Sequence, residues 1–434
     1  MMKYSFFFRQ AILFFSLVIP LHGQMTGAFP ESLTQEQAVT LALTHHPSLR
    51  GAEAATHSAS AGVTLAQSNY FPALSVSAGG TRTGGASPIN PSFPVRILTY
   101  NNYITALSLQ QTLYDFGKTS GRVSASEELM DASFTDFQAT RDSVIANVRL
   151  AYINFVQAIR LVKVDSESVA QAEEHLKQSQ AFYSVGTRPQ YDVTTAEVNL
   201  ANANVALITG RNQVRIAKLQ LENSIGMYST TRYTVRDSLG TPAFAITLDS
   251  AKTIARESRP ELRSAQARYV SAQSSVSAAR SQHLPTVSLN GGWTWSSFDF
   301  PLQSKWNAGL TLSMPIFEGF AISAQVEQAE AVVDEVHAGV DMLNEVVVLQ
   351  VEQNYLSLKE AQERIDASKK LVTQAKENLK LAEGRYNSGV GSPIEITDAQ
   401  VTLSNAQITN IQALADYNSS LIRLRQAMGV IAQN

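Results

Sequence analysis

The residue types that carry most enzyme and metal chemistry are sparse in this sequence. It contains no cysteine, which excludes disulfides, thiolate metal sites, catalytic thiols and a cysteine-linked lipid anchor. No pair of histidines has a metal-ligand spacing such as H-E-x-x-H. We expect the seven histidines at the surface or in the removed leader: His22, His45, His46, His57, His175, His283 and His337. The sequence therefore predicts no resident metal and no cofactor.

Two motifs could still suggest an enzyme, and neither is complete. Gly117-Lys118-Thr119 resembles the end of a phosphate-binding loop, but Thr112 stands where the leading glycine is required. No G-x-S-x-G elbow for a serine nucleophile is present. We expect this protein not to be an enzyme.

The strongest pattern is a duplication, in which residues 180–200 and 383–403 match with a constant offset of 203. Three of the matched pairs are Tyr183 with Tyr386, Gly186 with Gly389, and Asp192 with Glu395. Each copy has the pattern of a long helix, a turn centred on glycine, and a second long helix. Glycine suits such a turn because it adopts positive φ without a steric clash. The chain is therefore predicted to be a tandem repeat.

The predicted organisation is a signal peptide over residues 1–23, a first repeat over 24–230 and a second over 231–434. Lys3 and Arg9 precede an apolar run from Ala11 to Leu21, with the small Gly23 near a cleavage point. A retained anchor helix is the alternative for this segment. The formal net charge of −3 supplies no basic surface for nucleic acid.

Within each repeat, the sequence predicts helices at both ends of a β-hairpin. The two longest predicted helices contain no proline and extend from Lys118 to Tyr183 and from Ala321 to Tyr386. At 1.5 Å per residue, such helices are roughly 100 Å long and imply coiled-coil packing. Shorter helices return over 191–225 and 394–428. The connector from Tyr228 to Thr247 has strand-like residues, and its pattern does not determine where it lies.

The predicted strands alternate between apolar and polar residues, and a Gly- and Pro-rich loop follows the first strand of each repeat. Along the last strand, Trp306, Leu310 and Leu312 share one face, while Asn307 and Thr311 share the other. This is the pattern of a transmembrane β-barrel, whose outer face is apolar. Aromatic residues gather at the hairpin ends, where a membrane interface favours them: Tyr100, Tyr103, Trp293, Trp295, Phe298, Phe300 and Trp306.

Four strands cannot close a barrel, and every backbone group in lipid must be paired. Three chains would supply twelve strands. We therefore predict a mainly α fold with a transmembrane β-barrel portion: a long α-helical coiled-coil barrel and four strands per chain, closed as a 12-stranded barrel in a trimer. The alternative for the strands is the half-buried sheet of a soluble domain.

Three features of the chain taken together are typical of one family: the duplication, the strand-to-helix joints LYDFG (113–117) and IFEGF (316–320), and the tips YSVGTRPQYDV and YNSGVGSPIEI. In these features the chain resembles the TolC-like outer-membrane efflux channels. The resemblance covers essentially all of the chain after residue 23. It implies an outer-membrane trimer of a Gram-negative bacterium with a long periplasmic portion. It further implies a passive exit duct that works with a periplasmic adaptor protein and an inner-membrane transporter of RND, ABC or MFS type.

The resemblance also assigns roles to residues at the tips. Glu395 and Asp398 match the acidic ring that narrows the tunnel, although acids in a first helical turn also stabilise a helix N-terminus. Tyr386 matches a tyrosine of the closed-state latch, whose arginine is replaced here by Gly391. Arg188 has the equivalent position in the first repeat, beside Tyr183 and Asp192. The implied adaptor-docking tips are Val185, Gly186, Gly389 and Val390.

Two functions of different class are consistent with the sequence. The first is an outer-membrane channel for efflux or type I secretion, gated at the periplasmic helical tip. The alternative is a non-conducting periplasmic coiled-coil scaffold or adaptor, which would carry a lipoyl-like domain instead of duplicated amphipathic strands. The sequence does not identify the exported substrate.

Overall fold

A computed structural model describes residues 26–27, 29–87, 96–229 and 232–432. The predicted signal peptide, residues 1–23, lies outside the described residues. The boundary between repeats at residue 230 stays a prediction.

Over the described residues, eight α-helices follow the order that the duplication predicts. They are α1 (Gln35–His45), α2 (Pro47–Gln67), α3 (Lys118–Ser184), α4 (Gln190–Ile225), α5 (Leu248–Ser258), α6 (Pro260–Arg280), α7 (Ala321–Asn387) and α8 (Pro393–Ala427). The two long helices α3 and α7 have 67 residues each and end one residue later than predicted. The mainly helical fold and its long rods are confirmed.

The helix starts explain why the order repeats. At Thr34, the side chain and that of Gln37 form a capping box at the start of α1. At Thr247, the hydroxyl oxygen accepts only from the Ser250 backbone N–H, so α5 keeps half of that cap. Pro47 and Pro260 open α2 and α6, where a missing N–H costs no intrahelical bond.

The strands form one sheet and two short parallel pairs. They are β1 (Thr26–Gly27), β2 (Ser32–Leu33), β3 (Ala73–Ser87), β4 (Arg96–Tyr114), β5 (Tyr228–Ser229), β6 (Thr234–Val235), β7 (Thr286–Ser297) and β8 (Gln303–Ser313). The sheet is antiparallel in the order β3-β4-β7-β8, so β4 and β7 join the hairpins of the two repeats. Among the described residues, no strand pairs with the outer edge of β3 or of β8.

The sheet has the two faces that the alternation predicts. Leu74 lies opposite Leu109, and Trp293 lies opposite Trp306, on the apolar face. On the other face, cross-strand hydrogen bonds join polar side chains, as between the Ser75 and Ser108 hydroxyls at 2.8 Å. Several apolar side chains of that face are exposed within this chain, among them Leu310 at 70% and Trp306 at 72%.

The strand β3 runs through residues that the sequence assigned to a glycine-rich loop. It continues past Gly80 to Ser87 and pairs with β4 along its whole length. A Cβ at Gly80 would lie 3.3 Å from the Tyr103 ring, so the aromatic side chain covers the glycine from the opposite strand. The prediction of a loop is therefore wrong for residues 81–87, which continue the strand.

The joints between sheet and helices have left-handed backbone at matching places. Phe116 and Gly117 precede α3 with φ of 54° and 100°, and Gly319 and Phe320 precede α7 with 61° and 66°. Since α2 and α6 end at the sheet and α3 and α7 begin there, the far ends of α3 and α7 lie one long-helix length from the sheet, roughly 100 Å.

The connector 228–247, which the sequence left unplaced, packs along the helices. Its strands β5 and β6 pair in parallel with β1 and β2. The buried Tyr152 hydroxyl lies 3.0 Å from the Leu33 carbonyl oxygen and 2.7 Å from that of Arg236, and it shares its one hydrogen between them. From α8, the Tyr417 hydroxyl donates to the Pro242 carbonyl at 2.5 Å. The connector therefore ties the two repeats together in the middle of the helical region.

The helices pack side by side around apolar cores. Along its length, α3 contacts α2, α4 and α6, whereas α7 contacts α6 and α8. A separate small core lies at the tips of the helical hairpins and includes Leu379, Tyr386 and Ile396. Across the described ranges, no helix combines the length and the apolar character that a membrane crossing requires.

Candidate functional site at the helical tips

The two tips are turns of the same geometry. Gly186 follows α3 with φ of 72°, and Gly389 follows α7 with φ of 78°. Each glycine N–H donates at 3.0 Å to the carbonyl of a tyrosine, Tyr183 or Tyr386. A Cβ at either glycine would meet no other atom within 4 Å, so the backbone conformation alone favours glycine. Val185 and Val390 beside them are each 70% exposed.

The two helical hairpins hold each other near the tips. The Gln178 side-chain amide donates to the Asn387 side-chain oxygen at 2.5 Å, joining α3 to α7. The Asn199 amide donates to the Thr397 hydroxyl at 3.0 Å, joining α4 to α8. Each bond crosses from one repeat to the other, so the tips of one chain form a single unit.

Arg188 and Tyr386 come together, although they belong to different repeats. The Arg188 guanidinium carbon lies 4.9 Å from the centre of the buried Tyr386 ring. Its Nη2 donates to the Gly391 carbonyl at 3.1 Å. A cation over an aromatic face and a charged hydrogen bond both stabilise this contact. Arg188 therefore links the two tips within one chain.

Gly391 cannot be replaced by the arginine of the family pattern without moving the turn. A Cβ there would lie 2.8 Å from the Tyr386 backbone nitrogen and 2.9 Å from the Arg385 carbonyl carbon. Both atoms belong to the backbone, so neither can rotate away. The close approach of the turn to the end of α7 explains the glycine.

Asp192 lies in a buried polar cluster with His175, Ser179 and Tyr386. His175 is 6% exposed, and its ring meets the Tyr386 ring edge to face at 5.5 Å. Four buried atoms of this cluster have no hydrogen-bond partner among the described residues: His175 Nδ1, Ser179 Oγ, Asp192 Oδ2 and the Tyr386 hydroxyl. Burial lowers the pKa of His175, and the Asp192 carboxylate opposes that shift.

The cluster corrects one expectation. His175 was expected at the surface, but its ring is buried against Tyr386 of the second repeat, and the neighbours Ala172 and Ser179 on its helix face are small and buried. The roles that the resemblance assigns to Arg188 and Asp192 stay predictions. A cavity of about 580 Å³ next to His175 is lined by α3, α7 and α8.

Glu395 is paired, whereas Asp398 is not. The Glu395 Oε2 accepts from Arg385 Nε at 2.9 Å, and its Oε1 accepts from the Ser392 backbone N–H at 3.4 Å. The hydrogen bond from Arg385, followed by that from Ser392, lowers the pKa of Glu395. Asp398, one turn further along α8, is exposed, and no described residue pairs with its carboxylate.

The tip residues thus separate into two groups. Arg188, Asp192 and Tyr386 belong to the contact between the hairpins, and Glu395 and Asp398 lie on the open first turns of α8. Tyr183, the equivalent of Tyr386, is 47% exposed and lies outside the buried cluster. Sequence reasoning missed His175 and Arg385, since neither has an equivalent at the matching position of the other repeat, where Asn378 and Phe182 stand.

Elsewhere, the Gly117-Lys118-Thr119 motif has a structural explanation. The Thr119 backbone N–H donates to the Asp115 carboxylate at 2.8 Å at the start of α3, so the segment caps a helix. Among the residues that the structure describes, no group of three or more His, Cys, Asp or Glu side chains is arranged to hold a metal ion.

Comparison with known proteins matches both halves of the chain to one family. The family model described as "Outer membrane efflux protein" matches residues 38–227 and 253–430. Protein CyaE of Bordetella pertussis is 25% identical over 93% of this chain and 85% of its own length. Outer membrane protein TolC of Escherichia coli is 24% identical over 89% of this chain and 80% of its own.

The fold is similar to that of solved outer-membrane channels. The crystal structure of the CmeC outer membrane channel of Campylobacter jejuni superposes with a TM-score of 0.83. The match covers 92% of this chain and 86% of that one, at 22% identity. At that identity, the likeness supports the fold alone.

Proposed function

Since this chain belongs to the outer membrane efflux protein family, we propose that it forms the passive exit duct of a tripartite efflux or type I secretion system. The duct is a homotrimer in the outer membrane of a Gram-negative bacterium, with its helical portion in the periplasm. Its partners are a periplasmic adaptor protein and an inner-membrane transporter. In this arrangement the inner-membrane transporter supplies the energy for transport.

One observation gives the proposed channel its main support: the four-stranded sheet has two unpaired edges and an exposed apolar face. Leu310, Leu312 and Trp306 are each about 70% exposed on that face. In lipid such side chains are favourable, but the unpaired edges of β3 and β8 are not. A closed ring removes both edges, and three sheets of four strands give twelve strands, within the range of outer-membrane barrels.

The polar face then lines the inside of the barrel. It carries serine, asparagine and threonine side chains such as Ser75, Ser108, Asn290 and Thr311. A lumen of this composition holds water, and Lys305, on the same face of β8 as Asn307 and Thr311, adds one positive charge per chain. We assign the narrowest part of the duct to its far end, at the tips.

The gate is the set of tips at the far end of α3 and α7. Glu395 and Asp398, contributed by each of three chains, would surround the narrowest part of the tunnel and act on passing ions. The link among Arg188, Tyr386 and Gly391 holds the two hairpins of one chain in the closed arrangement. Opening then requires that this contact loosen.

The adaptor-docking surface includes the exposed turns with Val185, Gly186, Gly389 and Val390. Their valines are apolar and exposed, and their glycines leave room for a partner helix to approach. The support is the exposure of these turns at the far end from the sheet, where a periplasmic partner can reach them.

The test is to purify the protein from outer membranes in detergent and to measure its mass and conductance. The proposal expects three times the mass of the mature chain by light scattering, and single-channel conductance in planar bilayers. A water-soluble monomer or dimer without conductance would contradict it and would favour the non-conducting periplasmic scaffold.

A further inference from the structure

Arg385 and the Ser392 backbone together give both oxygens of the Glu395 carboxylate a partner. Arg385 lies in the last turn of α7 and Glu395 in the first turn of α8, so the tight turn between them brings the pair together. Arg385 Nε lies 2.9 Å from Glu395 Oε2, while the Ser392 backbone N–H holds Oε1. Both oxygens therefore have a partner, and the pair carries no net charge.

This pair exists in only one of the two repeats. The offset of 203 places Phe182 and Asp192 at the equivalent positions in the first hairpin. There the aromatic ring packs 5.7 Å from the Tyr386 ring, and the acid is buried. Shared turn geometry therefore does not require an arginine at this position, which indicates a role specific to the second tip.

Asp398 differs from Glu395 in having no such partner. It lies three residues further along α8, is exposed, and makes no ion pair among the described residues. Its own backbone carbonyl accepts from Thr402, and this bond does not involve the carboxylate. Of the two acids on this first stretch of α8, only Asp398 presents an uncompensated charge.

From this geometry we propose that Arg385 is a specificity-determining residue of the channel, because it cancels the charge of Glu395 and leaves Asp398 as the fixed charge of the constriction. The inference rests on the proposed channel function and refines it. Each trimer would then carry three uncompensated carboxylates at its narrowest ring instead of six. The ligand class that this ring binds is a cation, above all a multivalent one.

The size of the effect follows from charge screening. At physiological ionic strength the Debye length is about 8 Å, so only charges close to the narrow ring act on a passing ion. Three newly unpaired charges at about 10 Å from the axis would change the cation-over-anion permeability ratio by about two- to fourfold. The change grows at about 0.01 M salt, where the Debye length is about 30 Å.

The experiment measures the ratio of K⁺ to Cl⁻ permeability from reversal potentials in planar bilayers. Arg385→Gln should raise that ratio about two- to fourfold, because it exposes the Glu395 charge. Glu395→Gln should lower the ratio, because it leaves Arg385 unpaired. The double variant should return to the wild-type ratio, and Asp398→Asn should lower the ratio and weaken block by trivalent cations.

Two further variants separate the role of charge from damage to the tip. Arg385→Lys keeps the charge and should keep the wild-type ratio. Lys370→Gln removes one positive charge from an exposed position of the same helix, 15 residues away or about 22 Å along the axis. That distance exceeds the Debye length, so this control should also keep the wild-type ratio.

The outcomes distinguish this inference from the channel itself. Channels of normal conductance whose permeability ratio is the same in wild type, Arg385→Gln and Glu395→Gln would overturn the role of Arg385 and leave the channel standing. A wild-type protein that never conducts would overturn the channel and this inference together. The role of Arg385 would be supported if the permeability ratio rose in Arg385→Gln, fell in Glu395→Gln, and returned to the wild-type value in the double variant.

Discussion

Removing the Arg188 side chain should loosen the tips without unfolding the helices. Its guanidinium lies over the Tyr386 ring and donates to the Gly391 carbonyl. A cation–π contact at a partly exposed site contributes about 0.5–1 kcal/mol. A hydrogen bond from a charged donor contributes about 1.5 kcal/mol at the low end of its range, which suits a half-buried group.

Together these contacts amount to about 2 kcal/mol of the free energy that holds the hairpins together. At about 1.4 kcal/mol per factor of ten, Arg188→Ala should raise the equilibrium constant for tip opening roughly ten- to fiftyfold. The helices themselves keep their cores, because the large buried side chains such as Tyr152 and Leu221 lie far from the tips.

The assay is amide hydrogen exchange of the protein in detergent, compared between wild type and variant. Exchange should accelerate roughly ten- to fiftyfold at residues 182–192 and 384–396, and should stay unchanged over residues 144–156. Arg215→Ala is the matched control, since Arg215 is exposed on α4 and makes no ion pair among the described residues. Equal tip exchange in wild type and Arg188→Ala, within twofold, would refute the linking role of this side chain.

Three further predictions concern single side chains. Burial lowers the pKa of His175 below 6.5. Below pH 6.5 the unfolded chain therefore binds more protons than the folded chain. The stability that the neutral His175 contributes is fully present above pH 6.5 and decreases as the pH drops below it. His175→Asn should flatten that acid limb in a thermal-unfolding series. Gly391→Ala should destabilise the tip by about 1–3 kcal/mol, because the added Cβ would overpack the turn. The control Gly384→Ala lies on an open helix face and should stabilise the tip slightly. Rates of amide hydrogen exchange at the tips measure the difference between the two variants. Tyr152→Phe should cost about 1–3 kcal/mol in chemical unfolding, because two backbone carbonyls lose their buried donor.

Local signals in the sequence were sufficient to predict the helices. The long rods have no proline, and their ends coincide with glycine turns that need positive φ, so their limits were predicted to within one residue. The capping box at Thr34 and the helix start at Pro47 are likewise determined within four residues of sequence. Such features need no knowledge of the partner surface.

Contacts between the repeats could not be predicted, because they depend on how distant elements meet. Alternation along β4 and β7 indicates two faces for each strand but not that these strands pair, and one chain shows no closed barrel. The connector lacks a periodic pattern, since its hydrogen bonds go to carbonyls and side chains on other helices.

At the tips, the residue types were informative and their environments were not. Glu395 and Asp398 look equivalent in sequence, and only the structure separates the paired acid from the free one. His175 lacks any neighbouring ligand spacing, so nothing in the sequence predicts its burial. The position of Arg188 could be matched between repeats, but its contact with Tyr386 requires both hairpins to be placed.

The measurement that tests the account most directly is disulfide cross-linking between the sheet edges of neighbouring copies. The chain has no natural cysteine, so every disulfide formed is an engineered one. One cysteine replaces Ser77 on β3, and a second replaces Asn307, Gly309 or Thr311 in turn on the same face of β8. Bridging requires Cα atoms within about 7 Å, so only paired strands can react. The account predicts that at least one combination gives covalent trimers after oxidation in the membrane, as a closed twelve-stranded ring requires. Folded protein that remains monomeric at every combination would contradict it.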